Sequence, residues 1–187
     1  MEKKIKLGIV GCGAETAKYY VPNLLENKHH IDSLYLVDKE INNAKQIKKE
    51  LNIGVVIDDC KNIDRFLDGA IVTSPYFLHH SEAMEFLGKG THVLCQKPLC
   101  EYYQEAVQLC SMAKKKDVEL CVNNNRRMFP SFLRIKELID SNEIGRLRKI
   151  VYKEGGVFDW PGASRFYVDH KISSKGILCV IISSTVI

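Results

Sequence analysis

Short apolar segments rich in β-branched residues alternate with longer amphipathic segments along most of the chain. The short segments have the length of buried strands, and the longer ones carry apolar residues at helical spacing. Such alternation is typical of βαβ units around a parallel sheet. It predicts an α/β fold with strands at 5–10, 33–37, 55–57, 70–73, 92–95 and 119–122, and helices at 14–26, 41–51, 63–67, 81–87 and 102–115.

The alternation stops after residue 122. A polar stretch follows, then a periodic segment that predicts a helix at 132–139 and a strand from 148 to about 154. We therefore expect a complete domain at 1–122 and the incomplete start of a second α/β domain at 123–187. Within the first domain, Pro22 predicts a kink or break in the first helix.

Composition excludes several classes of protein. The 187 residues are 45% hydrophobic and 27% charged, as in ordinary globular proteins, and the longest apolar run, 177–182, is far too short to span a bilayer. The apolar stretch near the N-terminus is too short for a signal peptide. Seven cysteines without a Cys-x-x-Cys pair indicate reduced thiols and no metal site. A net charge of +4 is small enough to be explained without a nucleic-acid partner. We expect a cytoplasmic protein without a membrane or nucleic-acid partner.

A glycine-containing turn directly follows the first predicted strand and opens the first predicted helix. It contains Gly11, Cys12, Gly13 and Ala14. In a dinucleotide-binding turn, Gly11 allows the tight bend, Gly13 lets the backbone approach a pyrophosphate, and the helix N–H groups bind its charge. The third glycine of that pattern is replaced by Thr16, so a plain tight turn is an alternative explanation.

An acidic residue, Asp38, ends the second predicted strand. A carboxylate there accepts hydrogen bonds from the ribose hydroxyls of NAD and repels the 2′-phosphate of NADP, so NAD is favoured over NADP. The neighbouring Lys39 either binds such a phosphate or is a solvated residue at a helix start.

Two further strands end in residues that suit a ligand site. The fourth runs into Thr73, Ser74 and Pro75, and the fifth into Gln96 and Lys97. Open α/β sheets bind ligands at this edge. A lysine there can donate to a substrate hydroxyl and stabilise a developing alkoxide, although an exposed loop lysine is the simpler interpretation.

Together these residues resemble the Gfo/Idh/MocA oxidoreductases, NAD(P)-dependent enzymes acting mainly on sugars, inositols and related polyols. The resemblance covers about residues 5–176 and rests on matches in family order: Gly11-x-Gly13, Asp38, Ser74-Pro75 with His79, Lys97-Pro98-Leu99, Asn125-Arg126-Arg127 with Phe129, and Phe158-Asp159-Trp160-Pro161.

The resemblance implies a Rossmann-type, doubly wound parallel sheet followed by a second α/β domain that covers the nicotinamide and often forms a homo-oligomer interface. It implies that Ser74, Pro75 and His79 line the nicotinamide side and that Lys97 is catalytic. A partly exposed histidine at a helix start is the alternative for His79. Asn125 would lie near the substrate, or belong to a basic linker between domains.

Two departures from the family pattern stand out. The family's Glu-Lys-Pro turn has the neutral Gln96 in place of its glutamate. The family's acid/base histidine segment aligns with residues 176–184, where Val180, Ile182 and Ser184 occupy the Asp, Gly and His positions. We expect that the reading frame shifted or ended early after about residue 176, which would weaken both turnover and oligomerisation.

Three functions remain open from the sequence. The first is NAD-dependent hydride transfer to or from a small sugar or polyol. The second is a catalytically inactive remnant that still binds the nucleotide. The third is a methyltransferase that uses S-adenosylmethionine, which shares the glycine-rich turn and the acidic end of the second strand but has no need of the Lys97-Pro98 turn.

Overall fold

Six parallel strands form one sheet in the order β3-β2-β1-β4-β5-β6. The computed structural model describes residues 3–63, 66–151 and 153. This order and direction are those of the doubly wound Rossmann sheet, which confirms the predicted fold class. The strands are β1 Ile5–Val10, β2 Ile31–Val37, β3 Val55–Ile57, β4 Gly69–Val72, β5 His92–Cys95 and β6 Leu120–Val122.

Five α-helices connect or follow the strands, and two separate apolar clusters hold the first four against the sheet. Neighbouring residues of β1 belong to different clusters: Ile9 packs with α1 and α2 residues, and Val10 packs with α3 and α4 residues. Because successive strand side chains point to opposite faces, the clusters lie on opposite sides of the sheet. The helices are α1 Val21–Glu26, α2 Ile41–Leu51, α3 Tyr76–Gly88, α4 Tyr103–Lys116 and α5 Pro130–Asp140.

The first helical segment is interrupted where Pro22 predicts it. Residues Thr16–Tyr20 form a π-helical turn, and a regular α-helix begins at Val21. Pro22 has no N–H to continue the hydrogen-bond ladder. Next to it, the Asn23 side chain donates to the Tyr19 carbonyl at 2.7 Å.

Two predicted elements are wrong. At 63–67 the helical turn falls earlier, at Cys60–Asn62, where the Asp59 carboxylate accepts from the Lys61 N–H at 2.9 Å. Ile63 then continues in extended conformation into the core. The predicted strand from 148 to about 154 is not formed at residues 148–151, which are exposed, and residues 152 and 154 lie outside the described chain.

No helix among residues 3–63, 66–151 and 153 combines the length and apolarity needed to cross a membrane. Most of residues 152–187 lie outside the described part of the chain, as do the matches at 158–161 and the departures at 180, 182 and 184.

Candidate functional site

The predicted site residues gather at the carboxyl edge of the sheet. The chain leaves β1 to form β2 and β3 on one side, and then returns to form β4, β5 and β6 on the other. The boundary between β1 and β4 is therefore the switch point, where open α/β sheets form a ligand crevice. The glycine-rich turn and Asp38 lie on one side of it, and Ser74 and Lys97 follow strands on the other.

Gly11 and Gly13 have different structural roles. Gly11 has φ +90°, and a Cβ there would lie 2.7 Å from the Thr73 carbonyl carbon and in contact with the Ser74 nitrogen. Gly11 is therefore required for the close approach of the turn to the end of β4. Gly13 is exposed, and a Cβ there would meet no atom within 4 Å. Packing within the described chain therefore does not require a glycine at position 13.

Thr16, at the position of the missing third glycine, ties the turn to β4. It is fully buried, and its hydroxyl donates to the Gly11 carbonyl at 2.5 Å and lies 2.8 Å from the Thr73 hydroxyl. The Thr73 N–H donates to the Val10 carbonyl at 2.8 Å. The departure from glycine therefore strengthens the turn.

Asp38 faces the glycine-rich turn. Its carboxylate accepts from the Cys12 N–H and the Glu40 N–H, each at 2.8 Å, and lies 3.4 Å from the Asn43 amide nitrogen. These donors fix the carboxylate at the end of β2. The Cys12 side chain is buried, and burial, aided by Asp38, raises the pKa of its thiol to about 12. Cys12 is thus an unreactive thiol.

A cavity of about 350 Å³ opens between the ends of β1 and β2 and the first turns of α3. Exposed Lys39 and the half-buried Ser74 and Pro75 line it. Burial raises the pKa of Glu82, on the same wall, to about 7, although the Ser74 hydroxyl donates a short hydrogen bond to its carboxylate. The ionisable residues that line the cavity are Asp38, Lys39, Asp58, Asp59, Lys61, Glu82 and Glu85.

His79 joins two of the loops from inside the protein. It is 1% exposed, so the alternative of a partly exposed histidine is wrong. Its ring nitrogens lie 2.7 Å from the Pro98 carbonyl oxygen and 2.8 Å from the Ser74 carbonyl oxygen. Burial lowers the pKa of His79, and the hydrogen bonds to the two carbonyl oxygens oppose that shift. The side chain therefore supports the loop backbones.

Lys97 is half-buried just beyond β5, beside the first helical turn. Burial lowers the pKa of its ammonium, the Glu15 carboxylate opposes this shift, and Arg126 adds to it. The adjacent Gln96 is buried, and its amide donates a short hydrogen bond to Glu15. An amine with a lowered pKa in a cleft can move a proton more readily than a solvated lysine.

Asn125 begins a short 3₁₀ turn, Asn125–Met128, beyond β6 and is exposed. Two residues earlier, the Asn123 amide donates to the Tyr20 hydroxyl at 2.8 Å. Burial raises the pKa of Tyr20 to about 12, so the phenol stays protonated. The end of β6 is thereby attached to the first helical segment.

Comparison with known proteins decides the family. A family model described as an oxidoreductase family with an NAD-binding Rossmann fold matches residues 5–124. The chain belongs to the Gfo/Idh/MocA oxidoreductases. This membership favours an oxidoreductase over a methyltransferase.

Two relatives of this Gfo/Idh/MocA chain come from Bacillus subtilis. A glucose-6-phosphate 3-dehydrogenase is 28% identical over 148 residues, which are 78% of this chain and 41% of that protein. An NADP⁺-dependent scyllo-inositol 2-dehydrogenase is 29% identical over 142 residues, 75% of this chain and 38% of that protein. The chain thus spans about two fifths of the length of these relatives.

The fold matches a solved structure of the family. Scyllo-inositol dehydrogenase from Lactobacillus casei, solved with bound NAD(H) and scyllo-inositol, aligns with a TM-score of 0.69 and 24% identity over 76% of this chain and 43% of that one. One of these similar proteins is named for NADP⁺ and another was solved with NAD(H), so both forms of the cofactor occur among them.

Sequence reasoning missed Glu15, Thr16 and Glu82 as parts of this edge. Thr16 had a signal, because it occupies the place of an expected glycine. Glu15 and Glu82 had none, since each reaches its partner only after the chain has folded.

Proposed function

We propose that this chain forms the dinucleotide-binding part of an NAD-dependent oxidoreductase that transfers hydride at a secondary alcohol of a sugar or polyol. The observation that carries the proposal is the convergence of the glycine-rich turn, Asp38 and Lys97 at the switch point of a six-stranded parallel sheet. We place the dinucleotide domain at residues 1–122. The end of the family match at residue 124 supports that boundary.

The residues present fit a nicotinamide dinucleotide. The open space over Gly13 admits a phosphate close to the backbone, and helical residues begin directly beyond it at Ala14. Asp38 and the cavity of about 350 Å³ beside it suit the adenosine portion. On the other side, Thr73, Ser74, Pro75, Gln96, Lys97 and Asn125, with His79 behind them, would hold the nicotinamide end.

The charge around the cavity favours NAD over NADP. Five carboxyl groups line it against two ammonium groups, Lys39 and Lys61. A 2′-phosphate beside Asp38 would add negative charge to a wall that is already acidic. Lys39 is exposed, so solvent screens much of the attraction that it would exert on that phosphate.

Lys97 is the proposed catalytic residue. The bound nicotinamide supplies or accepts the hydride. The Lys97 ammonium donates a hydrogen bond to the substrate hydroxyl and stabilises the negative charge that develops on that oxygen. Burial, which lowers the pKa of Lys97, also brings it closer to the range in which it can exchange a proton with the substrate.

The substrate class rests on the relatives, whose names refer to a sugar phosphate and an inositol. The alternative is a nucleotide-binding remnant without turnover. It is favoured by the residues at positions 180, 182 and 184, which replace the family's Asp, Gly and His.

Fluorescence titration with NADH and NADPH tests whether the chain binds a nicotinamide dinucleotide. Competition with S-adenosylmethionine tests the methyltransferase alternative. Tighter binding of NADH is expected, and equally weak affinity for both would overturn the dinucleotide assignment.

Reduction of NAD⁺ by a panel of sugars and inositols tests whether the chain catalyses hydride transfer. The wild type is compared with Lys97→Met and with the exposed control Lys45→Met. Activity that only Lys97→Met abolishes supports the enzyme, whereas binding without turnover supports the remnant.

A further inference from the structure

The Gln96 side chain uses both ends of its amide. Its nitrogen donates to the Glu15 carboxylate, and its oxygen accepts from the Lys97 backbone N–H at 3.0 Å. The side chain is 8% exposed, so water cannot replace these partners cheaply. The amide therefore has one orientation, with its N–H₂ group toward Glu15.

This arrangement requires an amide at position 96 and an acceptor at position 15. A glutamate at position 96 would place two carboxylates in hydrogen-bond contact, and two such groups cannot both stay ionised at low cost. Gln96 and Glu15 therefore form a matched pair that holds one negative charge. That charge lies on Glu15 in the first helical turn, whereas Gln96, next to the Lys97-Pro98 turn, is neutral.

Three charged side chains act around this pair. Glu15 attracts the Lys97 ammonium, whereas Arg126 from the turn beyond β6 repels it. Lys18, one helical turn after Glu15, also attracts the Glu15 carboxylate. Burial raises the pKa of Glu15, and the two lysines and the Gln96 hydrogen bond oppose that rise. In this group Glu15 is the negative charge that acts on Lys97.

We propose that Glu15, bridged through the Gln96 amide, is the positioning residue for Lys97 and supplies from the first helix the carboxylate that the Lys97-Pro98 turn lacks. This inference deepens the proposed function, since it concerns the residue proposed to bind the substrate hydroxyl. Glu15 keeps the ammonium charged against burial and against Arg126. Gln96 holds the carboxylate and the Lys97 backbone in a fixed relation.

The test measures the titration of Lys97 directly and requires no turnover. Trace labelling with acetic anhydride across a pH series, read by mass spectrometry, gives a labelling midpoint for each lysine. Exposed Lys48 serves as the internal reference. Glu15→Gln keeps a hydrogen-bond acceptor for Gln96 and removes only the charge. We expect the Lys97 midpoint to move to lower pH and the Lys48 midpoint to stay.

Transposing the pair sharpens the test. In Glu15→Gln/Gln96→Glu the carboxylate moves to the Lys97-Pro98 turn, and the Lys97 midpoint is expected to return toward that of the wild type. Glu26→Gln removes an exposed carboxylate from the same helical segment and should leave Lys97 unchanged. Glu15→Ala deletes the whole side chain and carries the test if Glu15→Gln does not fold.

An unchanged Lys97 midpoint in a folded Glu15 variant overturns the inference, as does a transposed pair that fails to restore the midpoint. NADH titration of the same wild-type sample separates this result from the proposed function. A chain that binds no nicotinamide nucleotide refutes that function, whereas the coupling between Glu15 and Lys97 is measured independently.

Discussion

Replacing each of the two turn glycines with alanine separates a structural role from a binding role. At Gly13 the new methyl group meets no atom within 4 Å, and φ lies outside the left-handed region. At Gly11 the methyl group meets the backbone of Thr73 and Ser74, and φ is +90°. The same chemical change should therefore lower nucleotide affinity at one position and stability at the other.

The magnitudes follow from these surroundings. Gly11→Ala combines about 1–2 kcal/mol for the left-handed backbone with about 1–3 kcal/mol for overpacking, so the free energy of unfolding should fall by about 2–5 kcal/mol. For a chain of 187 residues this lowers Tm by about 4–20 °C. Gly13→Ala should change stability by less than about 1 kcal/mol. A methyl group in the phosphate approach costs about 1–3 kcal/mol of binding, which is a loss of NADH affinity of about 5- to 150-fold.

Thermal melts followed by circular dichroism measure stability, and NADH fluorescence titrations of the folded proteins measure affinity. Wild type and both variants are compared in one buffer. A Gly13→Ala protein that binds NADH as tightly as the wild type would show that no phosphate approaches this backbone. A Gly11→Ala protein with an unchanged Tm would refute the contact between the turn and β4.

Three further substitutions probe the same edge. Thr16→Val removes the hydroxyl that donates to Gly11, so Tm should fall by about 2–4 °C, which corresponds to one hydrogen bond of about 1 kcal/mol. Asp38→Asn removes the charge that disfavours a 2′-phosphate, so the ratio of NADH to NADPH affinity should fall in paired titrations; an unchanged ratio would show that other groups set the preference. Folding raises the pKa of Glu82 from its ordinary 4.5 to about 7, so the folded state binds this proton more tightly and the free energy of unfolding decreases as pH rises from about 4.5 to about 7. Glu82→Gln keeps an acceptor for Ser74 and should flatten that decline in melts across this pH range; an equally steep decline would assign it to other groups.

Local pattern was sufficient to predict most of the sheet and the edge of the sheet at which the candidate site residues lie. The predicted segments 5–10, 55–57 and 92–95 coincide with β1, β3 and β5, because each is a short apolar run bounded by turn or polar residues. The helix at 41–51 also coincides with α2, whose buried residues recur at helical spacing. Once the strands are parallel, their carboxyl ends lie at one edge, so Asp38 and Lys97 both lie at that edge.

The parts that escaped prediction depend on contacts between distant residues. Gln96 and Glu15 are 81 positions apart, and their hydrogen bond joins the loop after β5 to the first helical turn. The five-residue run at 63–67 has an apolar content that suits a helix or an extended segment equally. The capped turn at Cys60–Asn62 ends before this run, and Ile63 is extended and buried against the core.

The loops at the carboxyl edge are bonded to one another as well as to their strands, and this bears on how the site works. Thr16 and Thr73 join the turn after β1 to the end of β4, and His79 joins the end of β4 to the turn after β5. Gln96 joins that turn back to the first helix through Glu15. Because the bonds form a closed circuit, displacing one loop strains the others. Loops held in this way lose less conformational freedom when a ligand binds. A substitution in the circuit should therefore weaken nucleotide binding even where its side chain never touches the nucleotide.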